Sequence, residues 1–351
     1  MDMRIAAILD LGDNPVAARS EAGLLLDGAR WAAEAFRRLD REATLAIAGA
    51  MAADSRSLLE PYRDQDFVAP RLAGERLEIP QPCGVVLALL PATDPLTAIE
   101  LATLSCILTR NAVVFVPAPG ESEGMARAIH ELAAAAAAAG LPEAAIQVAD
   151  GGRPALLEAL LRSAEVDAIL VVRDTPFAAL ARSAGRYLVE IGSDDLPVFV
   201  DDTADLGQAA EWLAATGVGF GTRRSVVALA GCAAALSGSP LPGLRVARTR
   251  PQAIGALRAL VGRGGSDRAV VVFSRDSQTI LDVGAAVAAG RVVVNPKGGE
   301  AGFTPEQLLR WTTVSQPVGA APPVDLAAAR LRLPGPLPAA PADGVPGKRR
   351  R

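Results

Sequence analysis

Apolar positions along the chain follow two rhythms. Over 14–38, Leu24, Ala29, Trp31, Ala32, Ala35 and Phe36 recur at helical spacing, and 42–59 repeats the pattern, so both segments read as amphipathic helices that need a surface to cover. Segment 75–79 alternates like an edge strand, whereas 84–90 is a continuous apolar run of the kind buried on both faces of a parallel sheet. A P-A-T-D-P turn over 91–95 ends that run, and 96–108 reads as the next helix. The strand–turn–helix pattern then returns three times: strand 112–116 with helix 122–139 stopped by Gly140, strand 146–148 with helix 154–163, and strand 167–172 with helix 176–184. This alternation predicts a doubly wound α/β domain around a parallel sheet, because parallel neighbours need right-handed crossovers.

A second, smaller α/β unit begins near Leu196. Strands are expected at 197–200, 225–230, 244–248, 269–273 and 291–295, with helices at 206–216, 253–260 and 277–289. Pro, Ala and Gly dominate from Pro334 onward and the chain ends K-R-R-R, a composition that cannot build a core and reads as a disordered, solvated tail.

Composition narrows the function classes. A net charge of -4 gives no basic face for phosphate neutralisation, so no nucleic-acid partner is expected. No apolar run reaches the roughly 20 residues that span a bilayer, and the first 30 residues lack the order of a signal peptide, so the expected location is the cytoplasm without membrane contact. Cys83, Cys106 and Cys232 have neither disulfide-framework nor zinc spacing, and the single histidine, His130, sits on an Ala-rich helix, so no metal site is expected.

Several strings align in order with one family. P-C-G-V-V-L-A-L-L-P-A-T-D-P over 82–95 and L-T-R-N-A-V-V-F-V-P-A-P over 108–119 resemble the aldehyde dehydrogenase superfamily, and most of all its CoA-acylating branch, where the runs read P-x-G-V-I, P-x-T-N-P and K-T-R-N-A. L-P-V-F-V-D-D-T-A-D over 196–205 resembles the family's N-x-P-V-V-I-D-x-x-A-D strand and turn, and 269–295 resembles its closing strand, helix and V-x-V-N strand. Glutamyl-phosphate reductases, a related branch, match 91–93 and 109–111 less well. The resemblance implies an aldehyde dehydrogenase-like fold: a Rossmann-like nicotinamide-binding domain over 1–195, a truncated catalytic-like α/β domain over 196–320, and a small β oligomerisation extension formed by 75–80 with 321–333, followed by the 334–351 tail. It also implies a homo-oligomer, or a hetero-oligomer with an intact relative.

The departures carry the functional expectation. Aligning G-V-G-F-G-T-R-R-S-V-V over 217–227 with the family's G-V-I-C-x-S-x-x-S-V-V puts Phe220 where the cysteine thiolate attacks the carbonyl carbon, and phenylalanine cannot form that bond. Asp94 stands where an asparagine amide stabilises the oxyanion, and reads more simply as a helix N-cap. The glycine-rich phosphate turn is replaced by Arg173, Asp174, Thr175 and Pro176, and the family's G-x-G-N loop by Gly192, Ser193, Asp194 and Asp195. Pro91, Thr93, Pro117, Arg173 and Gly192 are thus remnants of a cofactor site, and the expectation is no bound cofactor, with NAD(H) or CoA as the ligands an eroded site would still take. The stretch carrying the family's ribose-contacting glutamate is missing after the nucleophile loop. Lys297, in an N-P-K-G-G loop over 295–299, reads as an ordinary turn or an anion nest. Three functions follow: a non-catalytic relative with a structural or regulatory role, an enzyme of altered chemistry using Asp94, Asp194 or Asp195, and a nucleotide- or CoA-binding module. The first is favoured, because several mechanistic positions are altered together.

Overall fold

The computed structural model describes residues 14–51, 65–73, 76–120, 122–172, 175–191, 196–214, 224–236, 244–261, 269–296 and 304–315. Helix α1 (Pro15–Phe36) starts where the Asn14 side chain accepts hydrogen bonds from the Val16 and Ala17 amides, with Pro15 in the first turn, where its missing N–H costs nothing. Helix α2 (Arg41–Met51) follows, and then two short strands, β1 (Arg71–Ala73) and β2 (Arg76–Pro82).

The first parallel sheet comprises β3 (Val85–Leu89), β4 (Ala112–Val116), β5 (Ile146–Val148), β6 (Ala168–Val172) and β7 (Tyr187–Ile191), in the order β5-β4-β3-β6-β7. Its crossovers are α3 (Pro95–Leu108), α4 (Ser122–Ala138), α5 (Pro154–Arg162) and α6 (Ala178–Ser183). The period of two sorts the side chains. Val85, Leu87 and Leu89 join the Ala18, Ala22 and Leu26 face of α1 and Leu156 and Leu160 of α5, while Val86, Ala88 and Phe115 point to α2, α3 and α4. With both faces covered, β3, β4 and β6 are buried along their whole length. Each such Val, Leu, Ile or Phe contributes about 1.5–3 kcal/mol.

The second unit repeats this plan with β8 (Leu196–Val200), β9 (Arg224–Leu229), β10 (Arg245–Ala247), β11 (Ala269–Phe273) and β12 (Arg291–Val294), parallel and ordered β10-β9-β8-β11-β12. Helices α7 (Leu206–Ala214), α8 (Ala230–Leu236), α9 (Arg250–Val261) and α10 (Ser277–Ala286) connect its strands, and a separate core forms around Val198, Phe199, Val227, Leu257, Val271 and Phe273.

A third, antiparallel sheet orders β1-β2-β13, where β13 (Leu309–Ser315) follows a short 3₁₀ turn (Pro305–Leu308). Pairing runs from Leu309 opposite Pro82 to Ser315 opposite Arg76. This changes the expected extension. Segment 309–315 fell within the second domain as read from the sequence, yet it supplies the strand beside β2, and Leu308 and Leu309 are buried in the first unit's core. The assigned segment 321–333 lies outside the described residues. β7 and α8 were not expected either: β7 is an edge strand broken by Tyr187 and Glu190, and α8 is a short Ala-rich turn of helix that periodicity over seven residues cannot reveal.

Candidate functional site

In sheets of this order, ligands lie outside the carboxyl ends of the strands, where successive crossovers leave in opposite directions. That point falls between β3 and β6 in the first unit and between β8 and β11 in the second.

At the first rim the chain leaves β3 through buried Leu90 and Pro91 into exposed Thr93 and Asp94. Asp94 occupies the N-cap position of α3, but in a left-handed conformation (φ 50°, ψ 54°) and without a side-chain bond to the helix amides. Its carboxylate instead accepts a hydrogen bond from the Thr97 hydroxyl at 2.8 Å. The capping expected of Asp94 is therefore positional only; the left-handed backbone turns the carboxylate away from the amides. Pro117, at the end of β4, is buried, and a Cβ on Gly151 would overlap the Pro117 carbonyl oxygen, so the turns after β4 and β5 are packed directly together. Pro91, Thr93, Asp94 and Pro117 bring one carboxylate and no cation to this rim, and Arg153, at its outer end, is ion-paired with Glu21. A dinucleotide pyrophosphate takes helix-terminal amides and cations; these four residues supply no cation. Arg173, Gly192, Asp194, Asp195, Phe220 and Lys297 lie outside the described residues.

The T-R-N string, by contrast, sits at the opposite edge of the sheet. Asn111 accepts from the Gly84 amide at 2.7 Å and donates to the Leu308 carbonyl at 2.9 Å and the Thr109 hydroxyl at 2.8 Å, all buried. Asp167 nearby accepts from the Val85 amide at 2.9 Å and from Arg30 at 2.8 Å. These residues fasten strand entrances and the 3₁₀ turn together. They are architectural.

All three cysteines are buried. Burial is the leading cause that pushes the Cys83 thiol up to about 11, and it raises Cys106 and Cys232 as well. None of them supplies a thiolate near neutral pH. His130 is exposed on α4. Among the described residues no group of three or more His, Cys, Asp or Glu side chains is arranged to hold a metal ion, and no helix is long and apolar enough to cross a membrane.

The second rim holds the densest polar cluster. Asp201, at the end of β8, is fully buried, and its carboxylate accepts from Thr203 at 2.7 Å, Ser274 at 2.9 Å and Arg250 Nε at 3.1 Å. The two remaining Arg250 nitrogens reach Asp276 at 2.9 Å and Asp202 at 3.1 Å. Burial opposes ionisation of Asp201, but the Thr203 and Ser274 hydroxyls and the Arg250 charge outweigh it and hold the carboxyl below its usual range. Asp276 is lowered chiefly by the Thr279 hydroxyl, which donates at 2.8 Å, and by the Gln278 amide. Asp205 caps α7 through the Gln208 amide at 3.1 Å. The cluster satisfies itself: each carboxylate is matched by the guanidinium, a hydroxyl or a helix amide. In the sequence the D-D-T-A-D run reads as a family turn with Asp205 as a helix cap. Nothing in the sequence marked Arg250, whose partners Asp201, Asp202 and Asp276 come from the segments that follow β8 and β11.

A profile of the aldehyde dehydrogenase family matches residues 3–223. Among curated proteins the chain is 29% identical over 133 residues to the bifunctional aldehyde-alcohol dehydrogenase AdhE of Escherichia coli K12, which is 38% of this chain and 15% of that protein. It is 30% identical over 131 residues to the acetylating acetaldehyde dehydrogenase EutE of the same strain, covering 37% of this chain and 28% of that one. The chain thus spans well under a third of the length of these relatives. Among solved structures it is similar to an acetylating aldehyde dehydrogenase from Geobacillus thermoglucosidasius (TM-score 0.61, 17% identity, 90% of this chain and 100% of that one). It is also similar to a propionaldehyde dehydrogenase from the Clostridium phytofermentans fucose utilisation microcompartment (TM-score 0.56, 15% identity, 83% and 96%). The resemblance read from the motif strings, including its acylating branch, agrees with these matches.

Proposed function

The chain belongs to the aldehyde dehydrogenase family, and from that premise we propose that it is a non-catalytic member with a structural or regulatory role, pairing with an intact relative. What supports this reading is the order of the motif strings, which sets Phe220 at the nucleophile position and Asp94 at the oxyanion-donor position. Removing a nucleophile costs roughly six orders of magnitude in turnover in the best-measured hydrolase. A carboxylate at the oxyanion position repels the charge that a donor there would stabilise by a factor of about 10² to 10³. The Asp94 carboxylate is also engaged by Thr97, which speaks against its use as a free acid or base in an altered chemistry.

The test is direct. The purified chain is assayed with NAD⁺ or NADP⁺, short-chain aldehydes and CoA, and in reverse with acyl-CoA and reduced cofactor. The expected rate equals that of a Phe220→Leu variant; turnover abolished by a rim substitution would overturn the proposal. Co-purification from the native host is expected to retain a family member that carries the nucleophilic cysteine. The competing reading, a nucleotide- or CoA-binding module, draws on the retained strand order of the first sheet. Calorimetric heat with millimolar NAD(H) or CoA would favour it.

A further inference from the structure

We draw no further inference here: the strongest candidate, the partly exposed apolar row of Leu72, Leu77 and Val314 that runs across the β1-β2-β13 sheet, carries none because nothing in the structure shows what covers it.

Discussion

Replacing Arg250 with methionine removes its charge and leaves Asp201 fully buried, bonded to the Thr203 and Ser274 hydroxyls and the Thr203 amide but without the guanidinium. Breaking a fully buried ion pair from one side costs about 3–5 kcal/mol. Arg250 is 39% exposed, so water screens part of the interaction, and about 2 kcal/mol is the expected loss. For a unit of this size that lowers the midpoint of thermal unfolding by about 5–10 °C. The pH dependence separates this account from simple loss of packing. Asp201 and Asp276 both have folded pKa values below their unfolded ones, so in the parent chain their stabilisation is complete above about pH 4–5 and is lost as pH falls through the depressed folded values. In Arg250→Met the buried carboxyl has no countercharge and titrates upward, taking a proton that relieves it. The difference between variant and parent is therefore largest at pH 7 and shrinks toward pH 4. Calorimetry of both proteins across that range measures it; an equal deficit at pH 4 and pH 7, or none, would refute the reasoning.

Asn111→Ala strands the buried Gly84 amide and the Leu308 carbonyl, and should cost about 2–3 kcal/mol in urea unfolding, while Asn111→Asp restores only the acceptor and recovers part of the loss. Gly151→Ala forces a methyl onto the Pro117 carbonyl, and the turns after β4 and β5 must separate, lowering stability by about 1–3 kcal/mol; Gly124→Ala, in open space, should be neutral or slightly stabilising by the same measurement. Because burial raises all three thiols, Ellman's reagent at pH 8 should label no cysteine in the native chain and three after denaturation.

Most of the first sheet was legible because its strands are short, apolar and bounded by turns: 112–116 and 146–148 match β4 and β5, and 84–90 encloses β3. The second unit was read equally well for β11, where A-V-V-V-F admits no helical period. β13 escaped, although Trp311, Thr312, Thr313 and Val314 are β-formers, because six of its seven residues face water or sit at the sheet's edge and give no alternation. The Arg250 cluster was not legible at all. Its members come from segments 201–202, 250 and 274–276, and only the fold brings them together.

The pairing of β13 with β2 bears on the order of biosynthesis. The 3₁₀ turn and Leu309 complete the core of the first unit, yet they are encoded after the whole second unit, which is nested between β7 and β13. At 5–20 residues per second, ribosomes need roughly 6–25 s to pass from the end of β7 to the end of β13. Throughout that interval Asn111 lacks its Leu308 acceptor and the edge of β2 is unsealed, while the second unit has time to fold alone. The core of the first unit is thus incomplete until its last strand emerges, and a chain stopped anywhere before residue 308 would leave the ribosome with its earliest core unfinished.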